Sequence, residues 1–403
     1  MRLRVLSVSC VFPNPVEPAA GLFVRHRLQS VARHADVTVI APVPAIDYGN
    51  PRRRLLAGWA VPRECRDGAL RVLHPRWLYP PLGGVVNAFC LAVRLMPLLR
   101  THRNCDVIDA HWVHPTGIAV ALASRFLPRP FVVTIRGNEI EHAQNRLMRA
   151  SIGWALRCAD AVIANSERLR KFAAGCGADP ERICVIPNGV DCAIFHPRDR
   201  TACRRLHGIA GDIPIVLSAG QLIELKGHHR ILTAIHNVAA EGKPAHLIIA
   251  GGPGRHGQYE AQIHQQIAAL GMDARVRLLG QVPQEALAEL MSAADVFCLA
   301  SSREGWPNVV QEALACGTPV VATDVGAVPD MIPSEDYGSV VAPRDESGLR
   351  EALQSALNRS WDRERISTLG QSRSWDRVAE QVLEEMRRVV HGSSRTHRAT
   401  APQ

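Results

Sequence analysis

Twice in 403 residues, short runs rich in valine, isoleucine and leucine alternate with amphipathic stretches of helical length. That alternation builds β-α-β units around a parallel sheet, and few other folds accommodate it. The first series places strands at Leu3–Val8, Val37–Ile40, Val107–Ala110, Phe131–Ile135, Ala161–Asn165 and Cys184–Ile186, with helices such as Phe23–Ala35 and Arg146–Cys158 between them. The second places strands at Pro214–Ala219, Ala245–Ala250, Val276–Leu279, Val296–Ala300, Pro319–Ala322 and Gly338–Val341. Between the two lies IPNGVDCAIFHPRD, where Pro, Asn-Gly and a second Pro mark a linker. The length suffices for two domains of ordinary size. Beyond Gly348 the pattern is helical, through Ser347–Asn358 and Trp375–Val390, and the aperiodic end HGSSRTHRATAPQ is expected to be disordered.

Composition narrows the class. At 47% hydrophobic and 21% charged, the chain can bury enough apolar surface to offset its ordering entropy. Eleven cysteines with no CxxC pair argue against a disulfide scaffold or zinc ribbon and for a reducing compartment. The opening MRLRVLSVSCVFPNP reads as a first strand, not a signal peptide, so a cytoplasmic protein is expected. The longest apolar stretch, Val85 to Leu99, is interrupted by Asn87, Arg94 and Pro97 and is too short to span a bilayer, though long enough to lie on one. Charge is uneven: residues 1–190 carry 25 basic against 13 acidic side chains, residues 191–403 carry 22 against 25. A basic first half suits an anionic partner, such as an acidic membrane surface or a phosphorylated substrate. Nucleic acid is disfavoured by 5% aromatics and the lack of a reader motif.

In such folds, ligands lie at the carboxyl ends of the strands, so the loops there are where chemistry is sought. The most informative is SSREGWPNVVQEALACGTPVVATDVGAVPD, residues 301–330. It follows the strand VFCLA, contains Gly305, and starts a helix with Pro307 in its first turn. The free amides and dipole of a helix N-terminus favour phosphate. Two carboxylates flank this anion site, Glu304 in the loop and Glu312 in the helix, and acids placed there suit hydroxyl groups. The combination points to a polyhydroxyl ligand that carries phosphate, such as a nucleotide sugar.

The spacing from Glu304 to Glu312 within EGWPNVVQEALACGTPVVATDVG closely resembles the E-x7-E signature of the retaining glycosyltransferases of family four. The resemblance extends to IPNGVD at 186–191, SAGQLIELKG at 218–227, IIAGGPG at 248–254 and LLGQVPQEAL at 278–287, and more weakly to DVIDAHWVHPTG at 106–117 and VVTIRGNEI at 132–140. It implies the GT-B fold, in which two Rossmann-like parallel-sheet domains face each other across a cleft. An acceptor-binding domain is expected over residues 1–192 and a nucleotide-sugar domain over 193–375. A helix over 376–391 is expected to cross back to the first domain, with a disordered tail at 392–403.

By the same resemblance, Lys226 is the cation on the donor diphosphate and Glu304 contacts the transferred sugar. Glu312 accepts the ribose hydroxyls, and Gly305, Asn308 and Val309 meet the diphosphate or sugar. Gly220 lies in the turn beneath the phosphates. Gly251 and Gly252 let the backbone approach the donor, and Gln281–Val282 meets the base. Gly21 takes the place of the family's glycine loop, without its usual doubled glycine. On the acceptor side stand His111, His114 and Arg136, the last where many relatives have histidine; its always-charged guanidinium suits an anionic sugar or phosphorylated acceptor. A metal site on the His111/His114 pair lacks a third ligand, and no Asp-x-Asp occurs, so a metal-independent hexosyltransferase without cofactor is expected, its nucleotide sugar being substrate. Gln221 stands where the family commonly has an arginine beside the lysine, with Arg303 or a first-domain arginine as substitutes.

The reading is a retaining transferase acting on a glycan or lipid-linked acceptor in cell-envelope or exopolysaccharide synthesis, at the inner face of the membrane. Arg52–Arg54, Arg63, Arg66, Arg71 and Arg76, beside the apolar segment 85–99, carry the membrane part. The alternatives are a silent nucleotide-sugar binder, kept open by Gln221, and a sugar-nucleotide epimerase.

Overall fold

Strands whose residues are apolar on both faces require cover on both faces, and each of the two sheets has it. The computed structural model describes residues 2–46, 55–81, 83–126, 129–211, 213–240, 242, 244–254 and 258–399. Arg52–Arg54 lie outside the described residues. The chain divides into two compact units: Met1–Gly189 together with Trp375–Gln403, and Val190–Ser374.

The first unit carries β1 (Leu3–Val8), β2 (Ala35–Ile40), β3 (Val43–Pro44), β4 (Glu64–Asp67), β5 (Leu70–Leu73), β6 (Arg76–Trp77), β7 (Val107–His111), β8 (Phe131–Ile135), β9 (Ala161–Ala164) and β10 (Ile183–Val185). Eight of them form one sheet in the order β10-β9-β8-β7-β1-β2-β5-β4. It is parallel except for β4, which runs antiparallel to β5. Neighbouring residues sort to opposite layers, as the two-residue period demands. Leu6, Ile108 and Phe131 pack with Leu91, Leu95 and Leu99 of the helix Val85–Thr101. Val5, Val107 and Val132 pack with Val24 and Leu28 of the helix Leu22–Ala32 and with Val378, Val382 and Met386 of the last helix, Trp375–Ala399. Burying side chains of this size stabilises by about 1.5–3 kcal/mol each, so that last helix is part of the first unit's core.

The second unit is a six-stranded, fully parallel sheet. It comprises β11 (Ile215–Ala219), β12 (His246–Ala250), β13 (Val276–Gly280), β14 (Val296–Leu299), β15 (Val320–Thr323) and β16 (Gly338–Val341), in the order β13-β12-β11-β14-β15-β16. Its ends run side by side: the Val190 amide donates to the Arg373 carbonyl at 2.9 Å.

Three features differ from the sequence expectation. The hairpin β4–β5 and the short strands β3 and β6 fall in a stretch whose alternation is too brief to register as a strand. The unit boundaries lie at Val190 and Ser374, with Trp375 in the first unit instead of the second. The last helix runs to Ala399, beyond 391, so positions 392–399 of the expected disordered tail are helical.

Candidate functional site

In the second unit the chain leaves β11 at Gly220, makes a short 3-10 turn at Glu224–Lys226 and enters the helix His228–Ala240. His228 is fully buried and fastens this turn. Its Nδ1 accepts from the Ser218 hydroxyl at 3.1 Å, and its Nε2 donates to the Gln221 carbonyl at 3.3 Å. Burial holds the imidazole down to about 4, which keeps it neutral in that role. The Lys226 stem passes over Gly220, where a Cβ would come within 3.3 Å of it.

Lys226 Nζ lies 2.6 Å from Glu304 Oε1, and the Ser301 hydroxyl donates to the same oxygen at 2.8 Å. Ser302 donates its amide to the Leu225 carbonyl at 2.9 Å, and the Gly305 carbonyl accepts from Ala327 at 3.0 Å. The loop 301–307 is thereby tied to the ends of both neighbouring strands. Gly251 presses on Gly220 so closely that a Cβ would sit 1.7 Å from the Gly220 carbonyl oxygen, which only glycine permits. A Cβ on Gly252 would be 3.6 Å from that of Gln281. Positions 220, 226, 251, 252, 281 and 304 are thus brought together. Val282 and Val309 are half-buried and pack on the unit's core.

The helix Asn308–Ala315 begins one residue later than the sequence suggests, with Pro307 at the capping position rather than in the first turn. Its first-turn amides have no intrahelical carbonyl. Glu312, four residues after Asn308, projects back over that turn on the same face. Among the described residues nothing bonds its carboxyl group, and burial pushes it up to about 7. The two acids therefore differ in kind: Glu304 is charge-paired, whereas Glu312 is an unpartnered, partly buried acid.

In the first unit, Gly21 adopts φ 69° before the helix Leu22–Ala32, and a Cβ there would meet the Val11 carbonyl oxygen at 2.4 Å. His111, at the end of β7, is fully buried. Its Nε2 lies 3.0 Å from Asp109 Oδ2, and its Nδ1 accepts from Arg136 at 3.0 Å, so the neutral ring carries its proton on Nε2. Arg136 also donates to Asn188 Oδ1 at 2.9 Å and lies over the rings of Phe23 and Trp112, 4.8 and 5.5 Å away. Burial and the neighbouring Arg27 bring its guanidinium down to about 9. Arg136 is expected to face an anionic ligand; instead its terminal nitrogens are held inside the unit.

Buried Arg27 pairs with fully buried Asp109 at 3.2 Å. Burial alone would raise the Asp109 carboxyl, but Arg27, His111 and Arg136 together hold it below its ordinary range. His114, unlike His111, lines a cavity of about 80 Å³ with Cys10, Trp112, Asn138 and His142. Its Nδ1 is buried without a partner among the described residues, and burial, helped by His142, brings the ring down to about 4. No group of three or more His, Cys, Asp and Glu among the described residues could hold a metal ion.

A family model described as Glycosyltransferase Family 4 matches residues 23–194, and one described as Glycosyl transferases group 1 matches residues 199–373. Between them they take in both units. The chain belongs to the group 1 glycosyltransferases of family four. This glycosyltransferase is 35% identical to a D-inositol 3-phosphate glycosyltransferase of Geodermatophilus obscurus over 56% of its own chain, a match spanning only about half (52%) of that relative. It is 25% identical to the putative teichuronic acid biosynthesis glycosyltransferase TuaC of Bacillus subtilis over 87% of its chain and 88% of TuaC. The crystal structure of Anabaena Alr3699/HepE in complex with UDP superposes with a TM-score of 0.72 at 22% identity, covering 95% of this chain and 99% of that one. The fold is GT-B.

Sequence reasoning missed three parts of the two candidate sites: the Arg27–Asp109 pair, His228, and Glu139. Glu139 is buried and accepts from the amides of Val113, Arg136 and Gly137 at 3.1, 3.2 and 2.8 Å, fixing the loops after β7 and β8. An aspartate inside the apolar strand VIDAH, two residues before His111 and so on the same strand face, is the signal that could have found the first. Trp112, at φ 65°, is strained in a way no sequence pattern announces.

Proposed function

We propose that this glycosyltransferase moves a hexose, with retention of anomeric configuration and without a metal, from a nucleoside diphosphate donor to a glycan or lipid-linked acceptor of the cell envelope. The observation that carries the reading is the Lys226–Glu304 pair at 2.6 Å beside the helix that begins at Asn308. A donor diphosphate offers Lys226 a second anionic partner and meets the helix amides. Glu304, released in part from the lysine, accepts hydroxyls of the sugar, and Glu312 accepts those of the ribose. As the bond between the anomeric carbon and the leaving oxygen breaks, its electron pair goes to the diphosphate, where Lys226 and the helix end stabilise the growing charge. The acceptor hydroxyl bonds to the anomeric carbon on the same face, and its proton passes to the departing phosphate.

HepE was crystallised with UDP and TuaC is named for teichuronic acid synthesis; both names favour a nucleotide-sugar donor and an envelope product. His114, beside an open cavity, is the acceptor-side histidine, whereas buried His111 and Arg136 position the loop that carries it. The membrane part of the reading assigns the acceptor to the inner face of the cytoplasmic membrane.

Gln221 favours one alternative, a nucleotide-sugar binder without turnover, because half of the family's cationic clamp is absent. The deciding experiment is donor hydrolysis and transfer with a panel of nucleotide sugars, the anomer of the product read by NMR. Turnover that falls with Lys226→Ala and Glu304→Ala supports transfer. Donor binding with no turnover to lose, or product of inverted configuration, overturns it.

A further inference from the structure

The helix Val85–Thr101 is mostly apolar, yet only one side of it is covered. Ala88, Leu91, Leu95 and Leu99 enter the core, while Val86, Phe89 and Val93 on the opposite side are 56, 61 and 57% exposed. Their spacing of three and four residues makes them one stripe. A surface helix of an ordinary domain carries polar residues there. Leu55, Leu56 and Trp59, and Leu78 after β6, are exposed apolar residues as well.

Beside this surface lies a cavity of about 360 Å³, the size of a small-ligand site. Its wall includes Trp59, Arg63, Arg76 and Arg94. Arg76 is fastened to the carbonyls of His74 and Val61 and lies 6.0 Å from the Trp59 ring centre. Among the described residues Arg94 gives only its Nε to protein, donating to the Arg76 carbonyl at 3.0 Å. Among the described residues neither Arg63 nor Arg94 has a carboxylate partner. Glu64, the acid in the wall, is held by Arg71 at 2.7 Å. The cavity is therefore a cationic recess opening beside an uncovered apolar stripe, with a tryptophan at the border.

We propose that this face docks on a bilayer leaflet: Val86, Phe89, Val93 and Trp59 enter the interface while Arg63, Arg76 and Arg94 receive the phosphate of an anionic phospholipid in the recess. Aromatic and aliphatic side chains beside arginines match the apolar boundary and anionic headgroup layer of a membrane in depth and sign. The inference deepens the reading of a lipid-linked acceptor met at a membrane, and it places this surface on a different part of the chain from the donor residues.

The test is co-sedimentation of the full chain with vesicles of phosphatidylcholine alone or mixed with phosphatidylglycerol. The expected result is binding to the mixed vesicles. Arg63→Gln and Arg94→Gln each weaken it about fivefold, the worth of one cation near such a surface, and Val86→Ser/Phe89→Ser/Val93→Ser weakens it at least about tenfold. These sites are exposed or half-exposed, and unchanged melting temperature and nucleotide binding verify the fold. Equal binding to both vesicle types, or variants that partition like the parent, overturns the proposal. So does a dimer in sedimentation velocity that Phe89→Ser abolishes, since the occupant is then a second copy. Millimolar inorganic phosphate that stabilises the chain through Arg63 and Arg94 while vesicles do not bind identifies a soluble ligand and overturns it as well. Transfer to a lipid-linked acceptor in detergent, where no bilayer exists, tests the acceptor reading separately.

Discussion

Lys226 and Glu304, 78 residues apart, meet at 2.6 Å with the Ser301 hydroxyl on the same carboxylate oxygen. A lysine in the turn after β11 and an acid in the loop after β14 neutralise each other on adjacent strands of one parallel sheet. The pair is mostly covered, with side-chain exposures of 21 and 11%, so each partner keeps the other from being a lone half-buried charge. It also holds the lysine poised where a diphosphate can take it over.

Replacing the cation separates binding from stability. Lys226→Ala is expected to lower turnover about 10²–10³-fold, as for loss of one preorganised group that stabilises developing charge, and Lys226→Arg to restore part of it. Steady-state kinetics with the best donor checks this, and unchanged kcat/KM in Lys226→Ala contradicts it.

Glu312 makes donor affinity depend on pH. Its carboxyl ordinarily titrates at 4.5 and here at about 7. The folded chain therefore holds a proton that the unfolded chain releases between those values, and stability falls as pH rises through that window, by up to about 3 kcal/mol, less where solvent reaches the group. Donor hydroxyls bond best to the ionised form, so affinity is expected to rise with pH through about 7. Glu312→Gln should flatten both curves. Isothermal titration from pH 6 to 8 reads the first, and an affinity independent of pH in the parent chain overturns the assignment.

His228 acts in the opposite sense. Its ring ordinarily titrates at 6.5 and here at about 4. Unfolded chain binds the proton first, so the stability that His228 contributes is intact above 6.5 and lost progressively as pH falls towards 4. His228→Phe is expected to be less stable at neutral pH, through loss of the Ser218 and Gln221 bonds, and to lose about one proton's worth of slope in urea midpoints over that window. An undiminished slope assigns it elsewhere.

The buried pair Arg27–Asp109 should be costly to halve. Arg27→Leu or Asp109→Leu alone leaves an uncompensated internal charge and is expected to destabilise by about 3–5 kcal/mol. The double variant should lose at least about 2 kcal/mol less than the sum of the two. Chemical denaturation of all four chains measures this coupling, and simple additivity refutes it.

Every strand of the second unit, and β1, β2, β7, β8, β9 and β10 of the first, were readable from runs of Val, Ile and Leu bounded by turns, because burial on both faces leaves little else in them. The loops around Lys226 were legible because the acids at Glu304 and Glu312 are choices that packing does not require, and because the close approach of Gly251 to Gly220 admits only glycine. The hairpin Glu64–Leu73 was not, since half of the residues in its two strands are charged. The interior roles of His111, Arg136 and His228 were equally hidden. Sequence reveals that a histidine or arginine follows a strand, but whether it faces outward or is clasped by Asp109, Asn188 or Ser218 depends on partners up to 52 positions away.

Because the polypeptide departs from the first unit at Gly189 and rejoins it at Trp375, the second unit is nested inside the first like a long insertion. During synthesis, the sheet face awaiting Val378, Val382 and Met386 stays uncovered until all of the second unit has been made. The middle portion, whose two ends already lie together, has everything it needs to fold while the opening portion is still waiting for its final helix.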